Sequence, residues 1–305
     1  MEKEQSLDLR EKDWDLLIRA IKAQRCTPFL GAGACHGVLP LGGDIARQWA
    51  GAHDYPFEDS SNLIKVAQFM AVEFYPMFPK DEVVRLFEEL NASPDFSEEN
   101  EPHRVLADLP LPVYLTTNYD DFMTRALRRN RFREPKREIC RWNAVVRKER
   151  SLFDDGYQPN PANPLVFHLH GHAEKSSSIV LTEDDYFDFL VNVSRDETLI
   201  PPAVQKALTE TSVLFIGYGL ADWNFRVLLQ GLSRYMERGL GRTHIAVMVP
   251  PNISNSEAQQ KKAQAYLSNY YENIDVRVFW GTARDFCTEL ARRWTTASKS
   301  ASSKS

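Results

Sequence analysis

Thr27-Pro28-Phe29-Leu30-Gly31-Ala32-Gly33-Ala34-Cys35 is the stretch from which the fold is read. A short apolar run meets a turn carrying Gly31 and Gly33, with an alanine between and after them. Glycine lets a backbone approach a ligand closely and take positive φ angles. A strand that ends this way, with a helix following, offers unpaired N–H groups to a phosphate. The turn is not a P-loop, because no Gly-Lys-Ser/Thr follows it. It also departs from Gly-x-Gly-x-x-Gly: the next glycine is Gly37, and no second strand delivers an acidic residue at the usual distance. A plain hydride-transferring dehydrogenase is therefore disfavoured, and a diphosphate cradle is the expected use of the turn.

Short apolar strands alternate with helical patterns along the rest of the chain. Strands are expected at Val113–Thr116, Leu165–Leu169, Ile179–Leu181, Val213–Ile216, Ile245–Val249 and Val276–Phe279. Helices are expected at 13–24, 43–52, 62–75, 80–90, 121–129, 203–210, 222–235, 256–271 and 285–294. The fold class is α/β: a doubly wound, mostly parallel, Rossmann-like sheet with an inserted helical region over about 43–110. Residues 1–294 then form one domain, and the Ser/Lys/Ala-rich 295–305 tail reads as disordered. In such sheets ligands bind beyond the carboxyl ends of the strands. Gly31–Cys35, Thr116–Asp120, His170-Gly171 and Gly217–Asp222 all fall at those ends.

Composition excludes several classes. With 43% hydrophobic and 26% charged residues in 305, a full core is available. No apolar run reaches membrane-spanning length, and the charged N-terminus does not read as a signal peptide, so a cytoplasmic protein is expected. The 4 cysteines are scattered without a Cys-x-x-Cys pair, so no zinc is expected. A net charge of −5 argues against a nucleic-acid binder. The local exception is the basic run Arg125–Arg137, read as a solvated helix end and loop or as a docking surface.

Two motifs carry candidate chemistry. Thr117, Asn118 and Asp120 follow a buried strand and set an amide and a carboxylate in the crevice, although Asn and Asp also cap helices. His170 precedes a glycine at a strand end, an exposed position from which an imidazole titrating near neutral pH can take a proton. His168 and His172 are the better candidates for structural histidines.

Gly31-Ala32-Gly33, the Thr-x-Asn-x-Asp run ending at Asp120, His170-Gly171 and Gly217-Tyr-Gly-Leu-Ala-Asp222 occur in sirtuin order. Over roughly residues 25 to 290 the chain resembles the sirtuin-like (SIR2-like) NAD-hydrolase domains of bacterial antiphage defence. The resemblance implies that Gly31, Ala32 and Gly33 cradle the diphosphate of NAD+ and that Asp120 holds the nicotinamide carboxamide. It implies that Asn118 orients the ribose or the attacking water and that His170 accepts a proton. Thr117, Gly217 and Asp222 would complete the cofactor site.

The four-cysteine zinc module of deacylating sirtuins is missing, and Ala173–Ser178 is too short and polar for an acyl-peptide groove. Water is thus the expected acceptor, making the chain an NAD+ glycohydrolase that depletes NAD+ in defence. The alternatives are a deacylase or ADP-ribosyltransferase, or a non-catalytic module that senses NAD+ or ADP-ribose. The implied partners are further copies of the chain and a separate sensor, a HerA-type DNA-translocating ATPase or an Argonaute-like protein. The Arg125–Arg137 run and the N-terminal helix are the docking surfaces considered.

Overall fold

The computed structural model describes residues 9–219, 242–250 and 256–302; the predicted 222–235 helix and the site residue Asp222 lie outside them. Among the described residues seven strands are hydrogen-bonded in one sheet: β1 Cys26–Leu30, β2 Val113–Thr116, β3 Lys136–Ile139, β4 Leu165–His168, β5 Ser212–Ile216, β6 His244–Met248 and β7 Val276–Trp280. Their order is β3-β4-β2-β1-β5-β6-β7, and every pair is parallel. The chain builds outward from β1 to one side through β2, then returns to build the other side from β5. Its reversal therefore lies at β1 between β2 and β5, where the carboxyl ends of the strands open a crevice.

Both faces of the sheet are covered, so the central strands are apolar at successive positions. One face presents Phe29, Leu115, Phe167 and Phe215 to α7 (Glu183–Arg195), α8 (Pro202–Glu210) and α9 (Glu257–Glu272). The other presents Leu30, Tyr114, Val166, Leu214 and Ile216 to α1 (Glu11–Lys22), α5 (Pro102–Ala107), α6 (Phe122–Arg128) and α10 (Ala283–Ser302). A third cluster joins α2 (Gly42–Ala52), α3 (Leu63–Glu73) and α4 (Phe78–Leu90) through Ile45, Trp49, Val66, Met70 and Val83. This is the predicted helical region, but α5 packs on the sheet instead. Lys80 on α4 meets Asp185 on α7 at 2.6 Å, a buried ion pair that joins this region to the sheet domain.

Four expectations change. The Ile179–Leu181 segment is buried but is no strand: Val180 donates its N–H to His170 O and accepts from the Tyr119 hydroxyl, so its polar groups are met outside any ladder. β3 was not foreseen, because Lys136-Arg137-Glu138-Ile139 has no apolar run; a sheet-edge strand is commonly protected by such charges. The 295–305 tail is helical as far as Ser302, where α10 lies beside α1 and Lys22 Nζ donates to Ala297 O at 2.8 Å. The basic run is also not one open surface. Arg137 pairs with Glu174, Arg129 covers the Phe96 ring, and Arg133 is buried.

Arg133 donates to four main-chain carbonyls, Ala107, Leu109, Leu111 and Pro161, at 2.6–3.1 Å. It ties the α5–β2 connection to the loop before β4. Arg133→Met leaves these carbonyls buried without their donor and is expected to destabilise the chain by roughly 3–5 kcal/mol, read as a lowered urea midpoint.

Candidate functional site

The crevice is built where the β1, β2 and β5 loops meet. Gly31 N–H donates to Ile216 O and Gly33 N–H to Gly217 O, both at 2.8 Å. These two amides are therefore committed to the β5 loop and are not the open anion donors expected from the sequence. The glycines are required by the contact between the loops. A Cβ on Gly33 would stand 2.8 Å from Gly217 Cα, and Gly217 takes φ +86°. Ala32, exposed at the first position of the short 3₁₀ turn Ala32–Cys35, keeps an N–H without an intrahelical partner.

Leu30 O gathers the next layer. It accepts from Thr117 N–H at 3.0 Å, from the Tyr218 hydroxyl at 3.0 Å and from the Thr116 hydroxyl at 3.3 Å. Thr117 and Tyr218 hydroxyls lie 3.0 Å apart. Thr116 Oγ1 in turn accepts the Asn118 N–H at 2.9 Å. The β2 loop is thus held against β1 from both sides.

Asn118 is oriented without ambiguity. Its Nδ2 lies 3.1 Å from Gly31 O and 3.3 Å from Cys35 Sγ. A carbonyl oxygen only accepts, so this end is the amino group and Oδ1 is the other end. Oδ1 has no partner among the described residues and the side chain is only part-buried. The result is a fixed acceptor at the crevice. His168 supports it from behind by donating Nδ1–H to Asn118 O at 3.1 Å, which leaves the buried His168 Nε2 as an unpartnered acceptor.

Asp120 is 8% exposed and already engaged. Oδ1 accepts Phe122 N–H at the head of α6, and Oδ2 accepts the Cys35 thiol at 3.3 Å. The helix-start reading of this residue is therefore realised, whatever else it holds. Cys35 is 3.9 Å from His103 Nε2, and His103 Nδ1 is 2.7 Å from Glu101 Oε1. Burial, followed by the Asp120 charge, holds the Cys35 thiol well above its ordinary pKa, so it is a protonated donor and no nucleophile. Cys35, His103, Glu101 and Tyr218 were not singled out from the sequence. The only available signal was a thiol directly behind the glycine turn.

His170 differs from its expected exposed state. It is 5% exposed and packed edge-on against Tyr186 and Phe189, with ring centroids 5.2 and 5.1 Å away. The structure brings Gly31, Gly33, Thr117, Asn118, Asp120 and Gly217 into one hydrogen-bonded network, and the His170 ring makes no bond into it. Position 171 demands glycine twice over: φ is +89°, and a Cβ there would lie 2.2 Å from Ser178 O. Burial pushes the His170 pKa down to about 3, so the ring is neutral at physiological pH.

His168 and His172 are likewise pushed down, to about 3 and about 4, by burial first. The unfolded chain binds these protons below about pH 6.5, whereas the folded chain refuses them for about 3 units more. Protonation therefore favours unfolding, and stability is lost as pH falls from 6.5. Each such histidine removes on the order of 1 kcal/mol at pH 5.5. A fall in melting temperature between pH 7 and pH 5 is expected, and His170→Gln should flatten it.

A separate cavity of about 470 Å³ lies at the opposite, amino-terminal edge of the strands, lined by Arg25, Thr27, Val113 and Lys206. It contains none of the residues above.

A parallel doubly wound sheet with its polar network at the reversal point defines a Rossmann-like class of α/β domain. Residues 112–273 match the SIR2-like domain family, and the chain belongs to that family. It is 27% identical to the NAD(+) hydrolase ThsA of Cytobacillus dafuensis, over 74% of this chain and 42% of that protein. It is 23% identical to the NAD(+) hydrolase ThsA of Acinetobacter baumannii, over 80% of this chain and 47% of that protein. A match at 24% identity to the Defense-associated sirtuin 2 of Bacillus subtilis covers 57% of this chain and 15% of that protein. The chain thus spans less than half the length of these relatives. Among the described residues no helix is long and apolar enough to cross a membrane.

Proposed function

We propose that the chain hydrolyses NAD+ to nicotinamide and ADP-ribose in antiphage defence. The carrying observation is the Asn118 amide: its amino end is held by Gly31 O and Cys35 Sγ, and its Oδ1 has no partner among the described residues. The names of the relatives support the same substrate. Nicotinamide is a cationic leaving group, so its departure with the glycosidic electron pair builds positive charge on the ribose carbon. Water then supplies the oxygen, and its proton passes to bulk solvent. Such a reaction needs a placed water and a held ribose more than a strong nucleophile, and positioning of this kind reaches roughly 7–11 kcal/mol.

In this reading Asn118 Oδ1 accepts from the attacking water or a ribose hydroxyl. His170, neutral throughout, serves as a hydrogen-bond acceptor for the ribose or the water. The open Ala32 end of the turn meets the diphosphate, with Gly31 and Gly33 setting the loop shape. Thr117 and Gly217 line the same site, as would Asp222, and Asp120 faces the carboxamide while capping α6. Homo-oligomerisation, a cytoplasmic setting and a separate activator, HerA-type or Argonaute-like, belong to the same proposal.

The test is nicotinamide release from NAD+ by the purified chain, with and without the protein encoded next to it. Nicotinamide appearing without any acylated peptide is expected. Release that requires the peptide would mean deacylation. Binding of NAD+ with no release under either condition would mean a sensing module.

A further inference from the structure

We propose that Cys35, His103 and Asp120 form a binding site for a divalent cation of the zinc class, with Glu101 holding the histidine in its ligating orientation. Cysteine spacing alone argued against zinc, because such a site takes one cysteine from the glycine turn and its other ligands from α5 and the β2 loop. The thiol, imidazole and carboxylate donors lie within 4.8 Å of one another, and all three residues are buried. Cys35 Sγ is 3.3 Å from Asp120 Oδ2 and 3.9 Å from His103 Nε2. Zinc bonds of roughly 2.0–2.3 Å in a tetrahedron set neighbouring ligand atoms about 3.5 Å apart, between those two distances.

The second observation is the state of His103. Glu101 Oε1 holds Nδ1 at 2.7 Å, so Nε2 is the ring nitrogen turned toward the thiol. Glu101 is itself fixed, accepting the N–H groups of His103 and Arg104 at the head of α5. A carboxylate on the far nitrogen is what orients histidine ligands in metal sites. Charge also closes: one thiolate and one carboxylate neutralise a divalent ion in a buried place. Thiolate and imidazole favour zinc or cobalt over magnesium or calcium. Binding transfers the Cys35 proton to solvent, one per metal. Asn118 Nδ2 donates to the same sulfur, so occupancy reaches the amide proposed for catalysis. That consequence rests on the NAD+-hydrolysis reading; the site does not. Because Asp120 Oδ1 already accepts Phe122 N–H, a metal on Oδ2 competes with the carboxamide for this residue.

The test is a Co²⁺ titration of the purified, chelator-treated full chain, followed by absorbance and proton release. One equivalent is expected to produce a thiolate-to-cobalt charge-transfer band with strong tetrahedral d–d absorption, and to release one proton. Zn²⁺ should displace the cobalt. The band should vanish in Cys35→Ser and in His103→Gln, and persist in Cys26→Ala, a buried thiol outside the cluster. No sulfur-to-metal band in the wild-type chain at stoichiometric cobalt overturns the site, as does a band that survives either ligand substitution. These readings need no NAD+, so they stand or fall apart from the hydrolase assay.

Discussion

Asn118→Ala is expected to lower nicotinamide release by on the order of 10²-fold or more while leaving the chain folded. The side chain contributes no core packing; it is part-buried, and its amino group spans Gly31 O and Cys35 Sγ. Truncation removes the acceptor that Oδ1 presents, and water can enter to serve Gly31 O. The loss should therefore fall on kcat, with NAD+ affinity measured by calorimetry changing far less. Asn118→Asp is the sharper control, because it keeps the shape and reverses the donor. A carboxylate oxygen would then face Gly31 O across 3.1 Å, so this variant should lose stability as well as activity. Wild-type turnover by Asn118→Ala would remove Asn118 from the reaction.

Gly217→Ala is expected to have the largest effect on the fold near the site. The position has φ +86°, which costs an L-residue roughly 1–2 kcal/mol. The added Cβ would also lie 2.3 Å from Ala34 N and 2.7 Å from Gly31 O. Both are backbone atoms of the glycine turn and cannot swing aside as a side chain does, so overpacking adds roughly 1–3 kcal/mol. The melting temperature should fall by on the order of 10 °C. NAD+ binding should fall with it if, as proposed, the two loops that would be forced apart carry the diphosphate. A variant within 1 °C of wild type would mean that these loops do not touch in solution.

Sheet strands that are apolar at every position were legible, because a strand covered on both faces needs no alternation. Val113–Thr116 and Val213–Ile216 therefore lie close to where periodicity put them. Ile179–Leu181 misled for the same reason: burial makes a segment apolar, but only hydrogen-bond partners make it a strand. Lys136–Ile139 misled in reverse, since an edge strand carries charge. The place of Asn118 in the crevice was legible because the motif directly follows a buried parallel strand, although Asp120 is also spent at the head of α6. The state of His170 was not, since adjacency to Gly171 says nothing of the Tyr186 and Phe189 rings that enclose it.

Periodicity and glycine placement, which are local properties of the chain, were enough for the parallel α/β architecture and for the loops that bound the crevice. Only folding decided how each polar atom there is spent. It committed the Gly31 and Gly33 amides to the β5 loop, buried the His170 ring, and brought Cys35, His103 and Glu101 up behind Asn118. Hydrogen-bond partners and desolvation come from segments far apart in the chain, and no local pattern records which of them will meet.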